Sequence, residues 1–137
     1  MACAVENRRH LRWLYVAFWM AVIFCFSCQP QSADHTQRLF GSWNVLVRKT
    51  THLCEYLILF CLCRWAAAGS APAVVGKHPR LISAWAFAIA TVYALTDELH
   101  QSLVPGRSAT AGDVLVDMLG AAIGFACCRG GAFKPTR

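Results

Sequence analysis

Apolar runs alternate with short polar stretches along the chain. Four runs stand out: LRWLYVAFWMAVIFCFSC (11–28), THLCEYLILFCLCRWAAA (51–68), LISAWAFAIATVYALTDELHQ (81–101) and DVLVDMLGAAIGFACC (113–128). A helix that crosses a membrane needs about 20 mostly apolar residues. The first and third runs approach that length, and the second and fourth reach it if their polar ends enter the membrane. The pattern predicts an all-α, four-helix transmembrane bundle, with residues 1–137 forming a single domain. Arg8, Arg9 and Arg12 precede the first run as they would in a signal peptide. That run is long for one and no A-x-A pattern follows, so it is expected to remain as an uncleaved first helix. The intervening segments, 29–50, 69–80 and 102–112, read as loops, with turn signals at Pro30, Gly69 with Pro72, and Pro105-Gly106. There is no internal repeat, and the basic tail from Arg129 is expected to be loose.

Composition sharpens this picture. The chain is 57% hydrophobic and 15% charged, against a soluble charged share of about 25%. The net charge of +6 comes from small basic clusters between apolar runs, with no aromatic-basic stripe, which argues against nucleic acid. Basic residues beside apolar runs instead set membrane orientation. With the N-terminus inside, the inner side holds Arg8, Arg9, Arg12, Arg64, Lys77, Arg80, Arg129, Lys134 and Arg137. The outer side then holds only Arg38, Arg48, Lys49 and Arg107. Both termini are therefore expected in the cytoplasm, in a multi-pass protein of the cell membrane. The acids are biased the other way, with Glu6 alone inside. Most of the eight cysteines lie in apolar runs and read as small buried hydrophobes. Cys25-x-x-Cys28 has redox spacing but lacks a second pair in a polar loop. No zinc set is complete, and no cofactor is expected.

Charge returns at one level of the predicted bundle. On the second helix Lys49, His52, Glu55 and Tyr56 share a face. On the third, Asp97, His100 and Gln101 share one, with Glu98 and Ser102 beside it. On the fourth, Asp113, Asp117, Gly120 and Gly124 form one stripe. An acid at the bilayer centre costs about 2.5–3.5 kcal/mol on insertion scales. Glu55 and Asp117 thus need partners, and Arg48, Lys49, His52 and Arg107 are candidates. Structural roles compete with functional ones. TAGD (110–113) reads as a capping box, Gly120-x-x-x-Gly124 as a packing face, and Glu98 with Arg107 as an ion pair.

The stretch TDELHQSLVPGRSATAGDVLVDMLGAAIG (96–124) resembles the signature of the VanZ-like family of small bacterial membrane proteins, through Glu98, Gln101, Pro105, Gly106, Arg107, Ser108, Asp113, Gly120 and Gly124. VRKTTHLCEYLILF resembles the family's second helix through Lys49, His52 and Tyr56, and FSCQP the end of its first. The likeness runs from about Ser27 to Gly124. One departure is Asp117, where the family usually has Asn. The resemblance implies a place in the bacterial envelope and a link to resistance against the glycopeptide teicoplanin, but no settled reaction.

Two readings follow, and whether the chain is an enzyme stays open between them. In the first, an outward pocket binds or modifies an envelope molecule: a glycan, a lipid headgroup or a glycopeptide. Glu98 or Asp97 would act as general base with His52 or His100 as partner. Arg107 would hold an anionic group, and Lys49, Gln101, Asp113, Tyr56, Glu55 and Asp117 would complete the binding surface. In the second, the same charges form a static network in a scaffold that does no chemistry. A weaker third places a metal among His52, Glu55, Asp97, Glu98, His100 and Asp113. Four short spans without an inverted repeat leave little room for a transporter. The sequence leaves the oligomeric state open, and membrane lipids are the expected surroundings.

Overall fold

A computed structural model describes residues 2–29, 32–71, 73–105 and 110–129. The described residues are almost entirely helical and contain no strand. Helix α1 spans Ala2–Ser27, α2 Ser32–Phe40, α3 Asn44–Ser70, α4 Ala73–Gly76, α5 Pro79–Ser102 and α6 Ala111–Arg129. Four segments are long and apolar enough to cross a membrane: Arg9–Ser27, Thr36–Ser70, Pro79–Ser102 and Ala111–Cys128. These contain the four runs predicted from the sequence, except that the first span ends at Ser27, one residue before its run does.

The segment 29–50, expected to be a loop, is instead largely helical. It folds as α2, a 3₁₀ turn at Gly41–Trp43 and the first turns of α3. No proline lies between Gln31 and Ala71 to stop a helix. The direction changes at Gly41, whose φ of 53° suits a residue without Cβ. Asn44 secures the junction, its amide donating to the carbonyl of Gly41 at 2.9 Å and to Gln37 Oε1. At the predicted start, Thr50 and Thr51 satisfy their hydroxyls on the carbonyls of Leu46 and Val47 one turn back. Their polarity is therefore compatible with helix. At α5, Pro79 occupies the first turn, where its missing N–H costs nothing.

Helix α3 is the hub, packing against α1, α5 and α6. The core is built from Val16 and Ile23 of α1, Tyr56, Leu59, Phe60, Cys63 and Ala66 of α3, Ala86, Ala90 and Ala94 of α5, and Ala121 of α6. Alanines every four residues on α5 keep that face thin, so it seats closely on α3. The outer surface is as apolar as the core: Phe18, Trp43, Trp85, Val92, Leu99 and Leu115 all stand exposed. A bundle that is apolar on both sides belongs in lipid. The cysteines correct their sequence reading in part. Cys63 is buried, whereas Cys25, Cys54 and Cys127 are on the outside of the bundle, where a thiol meets acyl chains instead of core.

Side-chain hydrogen bonds fasten α1 to the rest. Trp19 Nε1 donates to the Glu55 carbonyl at 3.0 Å, and the Tyr93 hydroxyl donates to the Met20 carbonyl at 2.6 Å. Tyr93→Phe removes the second tie and should cost about 1 kcal/mol, read as a lowered melting temperature of the purified protein at unchanged helix content. At the end of the bundle where α1 begins, the Arg12 guanidinium lies 4.8 Å from the centre of the Trp65 ring and donates to the Trp65 carbonyl. Trp13 Nε1 donates to Ser70 Oγ there at 3.0 Å. Arg and Trp at one level mark a membrane–water boundary.

Candidate functional site

The end of α1, the start of α3, the end of α5 and the start of α6 meet at the other end of the bundle. The polar ridges read from the sequence come together here. Asp97, Glu98 and Gln101 on α5, Glu55 and Tyr56 on α3, and Asp117 on α6 are all buried. His52, His100 and Asp113 are half-buried and Lys49 is exposed. Arg107, with Gly106 and Ser108, lies outside the described residues, as does the expected Glu98–Arg107 ion pair.

Three local networks make up the site. In the first, Ser27 Oγ and Gln101 Nε2 each donate to Asp97 Oδ2 at 2.8 Å, and Gln101 Nε2 also lies 3.2 Å from Ser27 Oγ. Gln101 sits one helical turn beyond Asp97, so the pair is local, while Ser27 arrives from α1. Next to it, Cys28 Sγ is 3.3 Å from His100 Nε2, and the His100 ring packs against Phe24 with centroids 4.6 Å apart.

In the second, His52 bridges two acids. Its Nδ1 lies 3.2 Å from Asp117 Oδ1 and 3.9 Å from Glu55 Oε2. Asp117 has no exposed surface. Of the partner candidates that the sequence raised for Glu55 and Asp117, His52 is thus the one that stands against both among the described residues. Packing enforces the proximity: Gly120, one turn after Asp117, sits directly on the carbonyl of Leu53, the neighbour of His52. Tyr56 lies one turn beyond His52 on α3 and is fully buried.

The third joins α5 to α6. The capping box read in TAGD does not form: neither of its two side-chain-to-backbone bonds is made, and the two residues meet in other ways. The Thr110 hydroxyl donates to Asp113 Oδ2 at 2.9 Å, and the Asp113 amide reaches the Thr110 carbonyl at 2.9 Å. The backbone N–H of Thr110, which a complete box would give to Asp113, goes instead to Glu98 Oε1 at 2.5 Å. Glu98 therefore caps the helix that follows it.

Besides the paired His52 Nδ1 and Asp117 Oδ1, four of the buried polar atoms without a hydrogen-bond partner among the described residues belong to this site: the Tyr56 hydroxyl, Asp97 Oδ1, Glu98 Oε2 and Asp117 Oδ2. An unsatisfied buried group costs about 1–3 kcal/mol, so a cluster of four on three helices is poorly explained by packing alone. Two clefts border it. One, of about 150 Å³, is lined by Ser27, Gln29, Thr36, Arg48, His52 and Glu55, with Phe26, Val47 and Thr51. The other, of about 270 Å³, is lined by Val45, Arg48, Lys49, His52, Thr110 and Asp113. The site is thus acidic inside and basic at its rim. Among the described residues no three His, Cys, Asp or Glu side chains converge on one point as metal ligands would.

Sequence reasoning did not single out Ser27, Cys28 or Thr110 as site residues, and it named Arg48 only as a charge partner for the buried acids. Ser27 and Cys28 lie 70 or more residues from their partners, and nothing in local spacing announces such a contact. The TAGD signal did mark Thr110, as a cap.

No curated protein matches the chain. No solved structure matches it either. A family model described as VanZ/LLP1 does match, over residues 12–133. With four helices able to span a membrane and a family match over nearly its whole length, the chain belongs to the VanZ-like family and is a multi-pass membrane protein.

Proposed function

We propose that the protein resides in a bacterial plasma membrane with the acidic end of its bundle facing outward, and that it binds or modifies an envelope molecule there. The observation that carries this reading is the set of four buried polar atoms on Tyr56, Asp97, Glu98 and Asp117 that have no hydrogen-bond partner among the described residues. Carboxylate oxygens with free lone pairs accept hydrogen bonds from hydroxyl or amine groups. Arg48 and Lys49 at the rim suit a phosphate or carboxylate on the same molecule. A glycan, a lipid headgroup or a glycopeptide offers both kinds of group. In a modifying reaction Glu98 or Asp97 serves as general base, with His52 or His100 as its partner. The excess of Lys and Arg toward the opposite end supports the outward orientation of the acids.

The test is teicoplanin susceptibility in a sensitive Gram-positive host that expresses the wild-type chain, Glu98→Gln or Arg107→Ala, with membrane abundance measured by blot. Wild type should confer resistance, and both variants should lose it at equal abundance. Full resistance in both variants would remove the reading.

A static scaffold is the second reading, favoured by the Ser27–Asp97–Gln101 and Glu98–Thr110 bonds that tie three helices together. It expects Glu98→Gln to lower the amount of folded protein along with any phenotype.

A further inference from the structure

The opposite end of the bundle carries a cleft of about 340 Å³, lined by Arg64, Pro79, Arg80, Ser83, Phe125 and Cys128. Its chemistry is the reverse of the acidic site. Arg64 Nε donates to Ser83 Oγ at 3.1 Å, and Ser83 is buried. That bond fixes the plane of the guanidinium and leaves its terminal nitrogens without a protein acceptor among the described residues. Arg80 has no hydrogen-bond or carboxylate partner among them.

No carboxylate on α3 or α5 is near enough to balance the pair. Along α3, Glu55 precedes Arg64 by nine residues, about 13 Å of helix. Along α5, Asp97 follows Arg80 by seventeen residues, about 25 Å. The N-terminus of α5, a 24-residue helix without a side-chain cap, lies beside the cleft and adds the positive end of its dipole. Phe125 forms an apolar wall, and Leu81 and Trp85, just along α5, are exposed on the outer surface.

We propose that this cleft holds the phosphate of an anionic phospholipid from the leaflet on that side. Guanidinium groups grip phosphate oxygens in pairs, and basic clefts between transmembrane helices have the form that headgroups recognise. A lipid fits better than free phosphate because the apolar wall and the exposed Leu81 and Trp85 give acyl chains a surface next to the cations. The site is separate from the acidic cluster and does not depend on its function.

The test is native mass spectrometry of the full chain, purified in detergent and offered phosphatidylglycerol and phosphatidylcholine together. Wild type should retain phosphatidylglycerol in preference to phosphatidylcholine. The Arg64→Gln/Arg80→Gln variant should lose about tenfold or more in that preference, while Lys77→Gln, a cation outside the cleft, should keep it. Should the double variant fail to fold, Arg80→Gln alone leaves the Arg64–Ser83 bond intact and should still lower the preference several-fold. Inorganic phosphate that fails to displace phosphatidylglycerol supports a lipid. Arginine-dependent phosphate binding without lipid preference would make the ligand free phosphate and overturn the lipid assignment. Equal retention of the two lipids, or a preference untouched by the arginine changes, would overturn the site itself.

Discussion

Gly120→Leu should abolish folded protein in the membrane, and Gly120→Ala should cost about 3 kcal/mol, at the upper end of what overpacking does. The reason is the identity of the neighbour. A Cβ at Gly120 runs into the backbone carbonyl of Leu53, within α3. A helix backbone has no rotamer to change, so α6 must move away from α3 as a unit. That movement also separates Asp117 from His52, because each adjoins the point of contact: Asp117 is one turn before Gly120, and His52 immediately precedes Leu53. Gly124 supplies the internal comparison. Its Cβ would meet Phe60 Cδ1 at 2.5 Å and Leu57 Cδ1 at 3.1 Å, side-chain atoms that can shift by small torsions where a helix backbone cannot, though the Phe60 ring is buried. Gly124→Ala should therefore cost only about 1 kcal/mol. Thermal melting of purified variants, with membrane abundance by blot, gives the ranking. Equal stability of Gly120→Ala and wild type would mean that α3 and α6 do not approach this closely.

His52→Leu should destabilise the protein by about 3 kcal/mol or more, and Asp117→Asn in the same chain should restore most of the loss. Asp117 is wholly buried and His52 stands 3.2 Å from its carboxylate. Removing one member of a buried pair strands the other charge, and the penalty comes from that stranded group more than from the lost attraction. Asn keeps the shape and hydrogen-bonding edge of Asp without the charge, so the apolar Leu no longer faces an ion. A double-mutant cycle read by thermal melting should give a coupling of about 2–3 kcal/mol between the two positions. Additive losses would show that His52 and Asp117 act independently. The activity of the Asp117→Asn chain beside wild type also tells whether the acid alters function or only packing.

The fold class, and the end of the bundle where the acids gather, were legible in the sequence. Apolar runs of the right length admit little other than membrane helices, because a backbone in lipid must satisfy its own hydrogen bonds. The acids announced themselves because charge in an apolar run is costly enough to require a reason. Helical spacing placed His52, Glu55 and Tyr56 on one face, and Asp113 and Asp117 on another, from local geometry alone. Segment 29–50 misled that reading, since its polar composition resembles a loop while its freedom from proline permits a helix.

Only the tertiary structure decided which residue meets which. That His52 and not a lysine or arginine stands against Asp117 follows from the packing of Gly120 on Leu53. That Glu98 takes the Thr110 amide, displacing Asp113 from its own capping box, follows from how α5 and α6 are brought together. Ser27 and Cys28 enter the site because α1 ends where α5 ends, and Arg64 and Arg80 share a cleft because α3 ends where α5 begins. Periodicity fixes neighbours three or four residues apart, whereas contacts across 20 or 70 residues depend on which helix faces can approach most closely, and small residues decide that only once all the helices are in place.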